Sequence, residues 1–261
     1  MTALMLVATM APVMATRADL ARARALYNER QFDGAIEAST AAQRTPATAD
    51  AATVVLARAH LERYRERADP SDLAAARVAL GTVRAASLDA RDANDLLLAL
   101  GEALFFEDDY GAAAQLFESG LIGARMLGPD PGDAMLDWWG SAVERHADRL
   151  APESRAGVLG RLRDRMAMEL ARNPSSGAAA YWVVVGARGS GDADAAWDSA
   201  IAGWVRVRLA GGGSASLRAD LDQLVLEGVI PDRVRQLPPE HRAQAETDLR
   251  TDWALVKERW K

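Results

Sequence analysis

One spacing constrains this chain more than any other feature. Anchors of one type fall at Phe32, Leu73 and Tyr110, at intervals of 41 and 37 residues. A self-similar period of this length marks a supersecondary unit that cannot bury its apolar side alone, so neighbouring units must stack. A further anchor near Ala193, ahead of Ala196 and Trp197, stands two long periods beyond Tyr110. The unit between them, Leu136 to Asn173, has longer helical stretches that do not align residue by residue with the others.

The stacked units are helical. Alanine, leucine, arginine and glutamate lose least on entering a helix, and alanine dominates here, while aromatic residues make up 6%. Helix punctuation recurs along the chain. Asp69-Pro70-Ser71-Asp72 supplies an N-cap, a proline at the first helical position and an acid at N3. Ala151-Pro152-Glu153 repeats this with a poorer cap, Asp192 is a candidate N-cap, and Asn173-Pro174 ends a helix. Tyr181-Trp182-Val183-Val184-Val185 looks strand-like, but alanines precede it and Gly186-Ala187 follow, so it is expected as a buried helix.

The cleanest unit spans 94 to 127. Leu97, Leu100 and Leu104 line one face of its first helix, and Glu107-Asp108-Asp109 forms the turn. Gly101 and Ala113 are small where two helices approach, and Tyr110 and Phe117 fill the space between them. This pattern resembles the tetratricopeptide repeat (TPR) family. Looser matches follow over 16 to 93. In one, Ala23, Leu26, Phe32, Ala35 and Ile36 take corresponding places, although Asp19 and Arg22 depart from the pattern. In the other, Leu73, Ala76 and Leu80 match the second helix, and a first helix around Leu56 to Tyr64 is joined to it by a stretched turn with extra residues. The match is weakest over 136 to 209. The intervals exceed the ~34 residues of a regular TPR.

The resemblance implies an all-α, TPR-like α-α superhelix over 16–210, a solenoid of antiparallel helix pairs. Residues 214–261 would then be a C-terminal helical cap. Gly211-Gly212-Gly213-Ser214 makes a break before a helix with Leu217, Leu221, Leu224 and Val225 on one face. Pro231, Pro238 and Pro239 interrupt, and a last helix runs from about Glu240 to Trp260. The resemblance also implies that first-helix residues line a concave groove: Arg24, Tyr27 and Asn28 in the first unit, Glu102, Phe105 and Phe106 in the third. Such a groove suits an extended peptide or a partner helix. For Phe105 and Phe106 the plainer reading is packing against a neighbouring repeat. Some TPR grooves grip a C-terminal carboxylate with lysines and asparagines; those basic residues are missing here, so that mode is not expected.

The expected function is therefore a non-catalytic protein–protein interaction module, a scaffold or adaptor with no cofactor and no metal. The net charge of −6 argues against nucleic acid, whose binders carry a basic face. With no cysteine, disulfides, thiolate nucleophiles and cysteine-ligated metals are removed together. His60, His146 and His241 are far apart and show no metal-ligand spacing. The string Gly186-Ala187-Arg188-Gly189-Ser190-Gly191-Asp192 lacks the preceding strand and lysine of a phosphate loop, and is expected as a turn between repeat helices. The alternative is a helical cell-wall or carbohydrate-acting hydrolase. It would use a carboxylate such as Asp137 or Glu144 in the half that holds all seven tryptophans, Trp138, Trp139, Trp182, Trp197, Trp204, Trp253 and Trp260. Helix-spaced tryptophans are more often core.

Residues 1–15 read as a possible signal peptide. Ala3 to Ala11 is apolar but too short to span a bilayer, and Val13, Met14 and Ala15 give a small-residue cleavage pattern. No Lys or Arg precedes it. Thr16 and Asp19 then read as a capping box opening the mature chain. The other reading is an apolar first helix packed on the next repeat. A real signal places the protein in the periplasm or outside the cell; otherwise it is cytoplasmic. No later segment is expected to cross a membrane.

Overall fold

The computed structural model describes residues 10–206 and 214–260, and every element in it is helical; no strand occurs among the described residues. Two compact units divide between Leu127 and Gly128. The first contains α1 (Met10–Asn28), α2 (Phe32–Ala42), α3 (Ala49–Arg67), α4 (Pro70–Leu80), α5 (Ala90–Phe106) and α6 (Tyr110–Leu127), with a short 3-10 turn at Ala85–Ser87. The second contains α7 (Pro129–Ala147), α8 (Pro152–Arg172), α9 (Gly177–Gly189), α10 (Ala193–Arg206), α11 (Ser214–Leu224), a π-helical turn at Val225–Val229, α12 (Ile230–Arg235) and α13 (Pro239–Arg259). Consecutive helices pack as pairs: α1 with α2, α3 with α4, α5 with α6, α8 with α9 and α9 with α10. No helix among the described residues is long and apolar enough to cross a membrane.

The turns recur at intervals of 38, 40 and 83 residues; Phe32, Tyr110 and Ala193 each open the second helix of a pair, whereas Leu73 lies one turn inside α4, whose matching first residue is Pro70. Arg30, Ala68, Asp108 and Gly191 all adopt positive φ (60°, 53°, 66° and 88°), each two residues before the second helix of its pair. In three of these turns the hydrogen bonds also repeat. Gln31 N–H donates to Leu26 O (2.8 Å), Asp109 to Leu104 O (2.9 Å) and Asp192 to Ala187 O (3.0 Å). This six-residue closure around a left-handed residue satisfies carbonyls that a helix end leaves unpaired. Immediately beyond, Ala35, Ala113 and Ala196 occupy matching places and are fully buried, because a larger side chain there would hold the second helix away from the first. The α7–α8 connection has no positive-φ residue, so the unit that resisted alignment is also the one whose turn departs.

Local chemistry starts the helices where the sequence suggests. Asp69 accepts from Ser71 N–H (2.9 Å) with Pro70 at the first position of α4, and Asp192 accepts from Ala195 N–H (2.9 Å). Ala151 gives α8 no side-chain cap, and α8 ends at Arg172 before Asn173-Pro174. The α9 start is built from two sources. Ser176 accepts from Ala179 N–H (3.1 Å), and Asp133 of α7 accepts from Gly177 N–H (2.8 Å), placing a carboxylate at the positive end of the helix. Tyr181 to Val185 lie inside α9, as expected.

Several local expectations differ from the structure. In the full chain α1 runs from Met10, so Thr16 could cap a helix only after cleavage at Ala15; of the expected signal segment 1–15, residues 1–9 lie outside the described residues. The α3–α4 turn is not stretched: α3 continues to Arg67, and its extra length absorbs the inserted residues. Most of the glycine string from Gly186 is helical, and only Ser190–Asp192 turn. Gly186 is needed because α9 crosses α8 closely; a Cβ there would stand 2.6 Å from Arg163 N. Pro231 does not interrupt the chain either. The π turn just before it widens the helix and accommodates the hydrogen bond that proline cannot donate. The Gly211–Gly213 break lies outside the described residues.

The second unit gathers around tryptophan. Trp253 of α13 is fully buried, with ring centroids 6.1 Å from Trp197 and 5.5 Å from Trp204. Its indole donates to Asp222 of α11 (2.7 Å), as does Lys257 Nζ (2.6 Å). Leu217, Leu221 and Val225 are buried in the same core, so the C-terminal helices and α9–α10 share one interior.

Candidate partner-binding face

In the first unit the leading helices of the three pairs lie against one another, α1 on α3 and α3 on α5. Residues three, four or seven apart on a helix share a face. Arg24 and Tyr27 of α1, Arg58, Glu62 and Arg65 of α3, and Asp92, Asp95 and Glu102 of α5 all obey that spacing and meet across the three helices.

Arg24 forms an ion pair with Asp92, whose carboxyl burial pushes up against the opposing pull of that guanidinium. Arg58 donates to Asp95 (2.8 Å) while its guanidinium carbon sits 4.7 Å over the Tyr27 ring. Burial raises the Tyr27 phenol well above its usual range. Arg65 forms an ion pair with Glu62 Oε2 (2.5 Å). Glu102 is only 2% exposed, and burial carries its carboxyl up to about 7; Glu62 and Asp95 add to the rise, while Arg58 and Arg65 oppose it. Glu102 Oε2 and Arg58 Nε are buried without a hydrogen-bond partner. Buried polar atoms are normally satisfied, so these two call for an explanation.

The structure thus brings Arg24, Tyr27 and Glu102 into one cluster. Asn28, the last residue of α1, is exposed. Phe105 and Phe106 end α5 and are half-buried: the Phe106 ring packs edge-on to Tyr64 (5.2 Å) and the Phe105 ring to Tyr110 (5.0 Å). Sequence reasoning missed Arg58, Glu62, Arg65, Asp92 and Asp95. Their signal was present in the spacing 58–62–65 and 92–95–102, each of which places charge on a single helical stripe.

The carboxylates considered for hydrolysis sit in the second unit. Glu144 borders a cavity of about 450 Å³ with Arg155, Arg188, Asp232 and Arg235, and burial, then Asp148, raises its carboxyl. Asp232 is committed to Arg188 (2.6 Å) and Arg235 (2.5 Å). Asp137 is exposed and accepts from the Trp182 indole (2.8 Å). Trp139, Trp182, Trp197, Trp204 and Trp253 are buried core residues.

No protein-family model, curated protein or solved structure matches the chain, so its own residues carry the functional reading.

Proposed function

We propose that this protein is a TPR-like helical-repeat module that binds a segment of another protein on the face formed by α1, α3 and α5. The observation that carries this reading is the meeting of charged side chains from three helices on that face, among which Arg58 Nε and Glu102 Oε2 are buried without a hydrogen-bond partner. A bound segment would satisfy such groups. The repeated left-handed turns support the repeat architecture, since they set each leading helix in the same relation to its partner helix. No catalytic step is assigned. In the second unit the one carboxylate raised beside the cavity, Glu144, faces an Asp232 already held by two guanidiniums.

Phage-displayed random peptides panned on the full chain test the reading. Selected peptides should lose binding to the double variant Asn28→Arg/Glu62→Lys on the α1–α3–α5 face. They should keep it in Val78→Asp and Ile122→Asp, at exposed positions of α4 and α6. Loss through the α4 and α6 variants instead, with the first double variant unaffected, refutes it.

A further inference from the structure

We propose that the α1–α3–α5 face recognises a cationic side chain, a lysine or arginine of the bound segment, at the carboxylates of Glu62 and Glu102; this rests on the partner-binding reading above. The charge count points there. Arg24, Arg58 and Arg65 are matched by Asp92, Asp95 and Glu62, which leaves Glu102 as one uncompensated carboxylate on the face. Glu102 Oε2 has no hydrogen-bond donor, and Glu62 Oε2 is paired with the half-exposed Arg65. An ionised, buried carboxylate without a partner is strongly disfavoured, and the proton Glu102 retains up to about pH 7 is the consequence. A ligand ammonium or guanidinium supplies what Glu102 lacks, positive charge and N–H donors, while Arg58 Nε, itself a donor, is not served by the cation. An acidic segment meets repulsion on this face, and an apolar one leaves the Glu102 oxygen unsatisfied.

The cluster also contains a group able to make way. Arg65 is its most exposed charged side chain, at 45%, and its one ion pair is with Glu62. A ligand cation takes the place of Arg65, which swings into solvent at little cost.

The test uses the full chain and short peptides with randomised flanks and a central Lys, Arg, Leu or Glu, with affinities read by fluorescence polarisation. Lys and Arg peptides are expected to bind at least about tenfold tighter than Leu or Glu peptides, as one charge-assisted hydrogen bond in a buried site allows. Glu102→Gln removes the preference, and Arg65→Ala strengthens it. Because cation binding lowers the Glu102 pKa, wild-type protein releases a fraction of a proton per Lys peptide near pH 7. That release appears as a dependence of the calorimetric heat on the buffer's ionisation enthalpy. Where Glu102→Gln fails to fold by circular dichroism, Glu62→Gln carries the same expectation. Peptides bound without preference for the cation overturn this inference and leave the partner-binding reading standing. A cation preference unchanged in both Gln variants also overturns it. No binding by any peptide overturns both.

Discussion

Gly101→Ala is expected to destabilise the protein, although alanine is the better helix former. Gly101 lies in the interior of α5, and a Cβ built on it stands 2.3 Å from Phe117 Cε1 and 2.7 Å from both Cδ1 and Cζ. Carbon atoms rest at about 3.5–4.0 Å, so the ring would have to withdraw by about 1 Å or more. Phe117 is fully buried in α6 and has nowhere open to go. Overpacking of this kind costs roughly 1–3 kcal/mol and occasionally more, against a helix-propensity gain of about 1 kcal/mol. The overlap here is severe, so the net loss should fall at about 1–2 kcal/mol. Urea denaturation followed by far-ultraviolet circular dichroism measures it. Gly157→Ala, on an exposed face of α8 with its nearest neighbour 3.7 Å away, is the control and should gain about 1 kcal/mol. Phe117→Leu in the Gly101→Ala background should recover part of the loss, because the smaller side chain clears the new methyl. If Gly101→Ala raises stability as Gly157→Ala does, the glycine is not a socket for Phe117 and the packing argument fails.

Glu102 makes stability depend on pH. Its folded pKa, about 7, stands above the ordinary 4.5, so its contribution is fully present below 4.5 and is lost as pH rises through 7. The span of about 2.5 units corresponds to roughly 3 kcal/mol, and Glu102→Gln should stabilise the chain by up to about that much at pH 8 and little at pH 4; equal effects at both pH values would refute this. Asp69→Ala removes the α4 cap and should cost about 1 kcal/mol in the same denaturation assay, whereas a neutral result would mean that Pro70 alone fixes the helix start. Trp253→Ala empties the centre of the second unit and should cost about 3–5 kcal/mol. All tryptophans lie between residues 138 and 260, so intrinsic fluorescence reports that unit, and a fluorescence midpoint that stays in place would contradict the core assignment.

Most of the helical framework was legible in the sequence because it is decided locally. Asp69 and Asp192 before helices, Asn173-Pro174 after one, and Glu107-Asp108-Asp109 between two act through backbone groups within a few residues. Pairing of consecutive helices was legible for a related reason: Phe32, Tyr110, Ala35 and Ala113 recur at fixed places where two helices meet. Where local signals conflicted with their surroundings, the surroundings prevailed. Pro231 reads as a break, yet the π turn ahead of it keeps the helix continuous. The Gly186 string reads as a turn, yet its glycines serve the crossing of α9 over α8.

The charged face was decided in three dimensions. In the sequence Glu102 is one candidate groove residue and Arg58, Glu62 and Asp95 are ordinary helix-surface residues, and their spacing shows only that each helix carries a polar stripe. Whether such a stripe meets water or two other stripes depends on how α1, α3 and α5 pack, and that packing takes Glu102 out of solvent while leaving one of its oxygens without a donor. A chain can specify its helices from neighbours a turn away, but the desolvation of a carboxylate depends on everything around it, and for Glu102 that means residues from Tyr27 to Asp95.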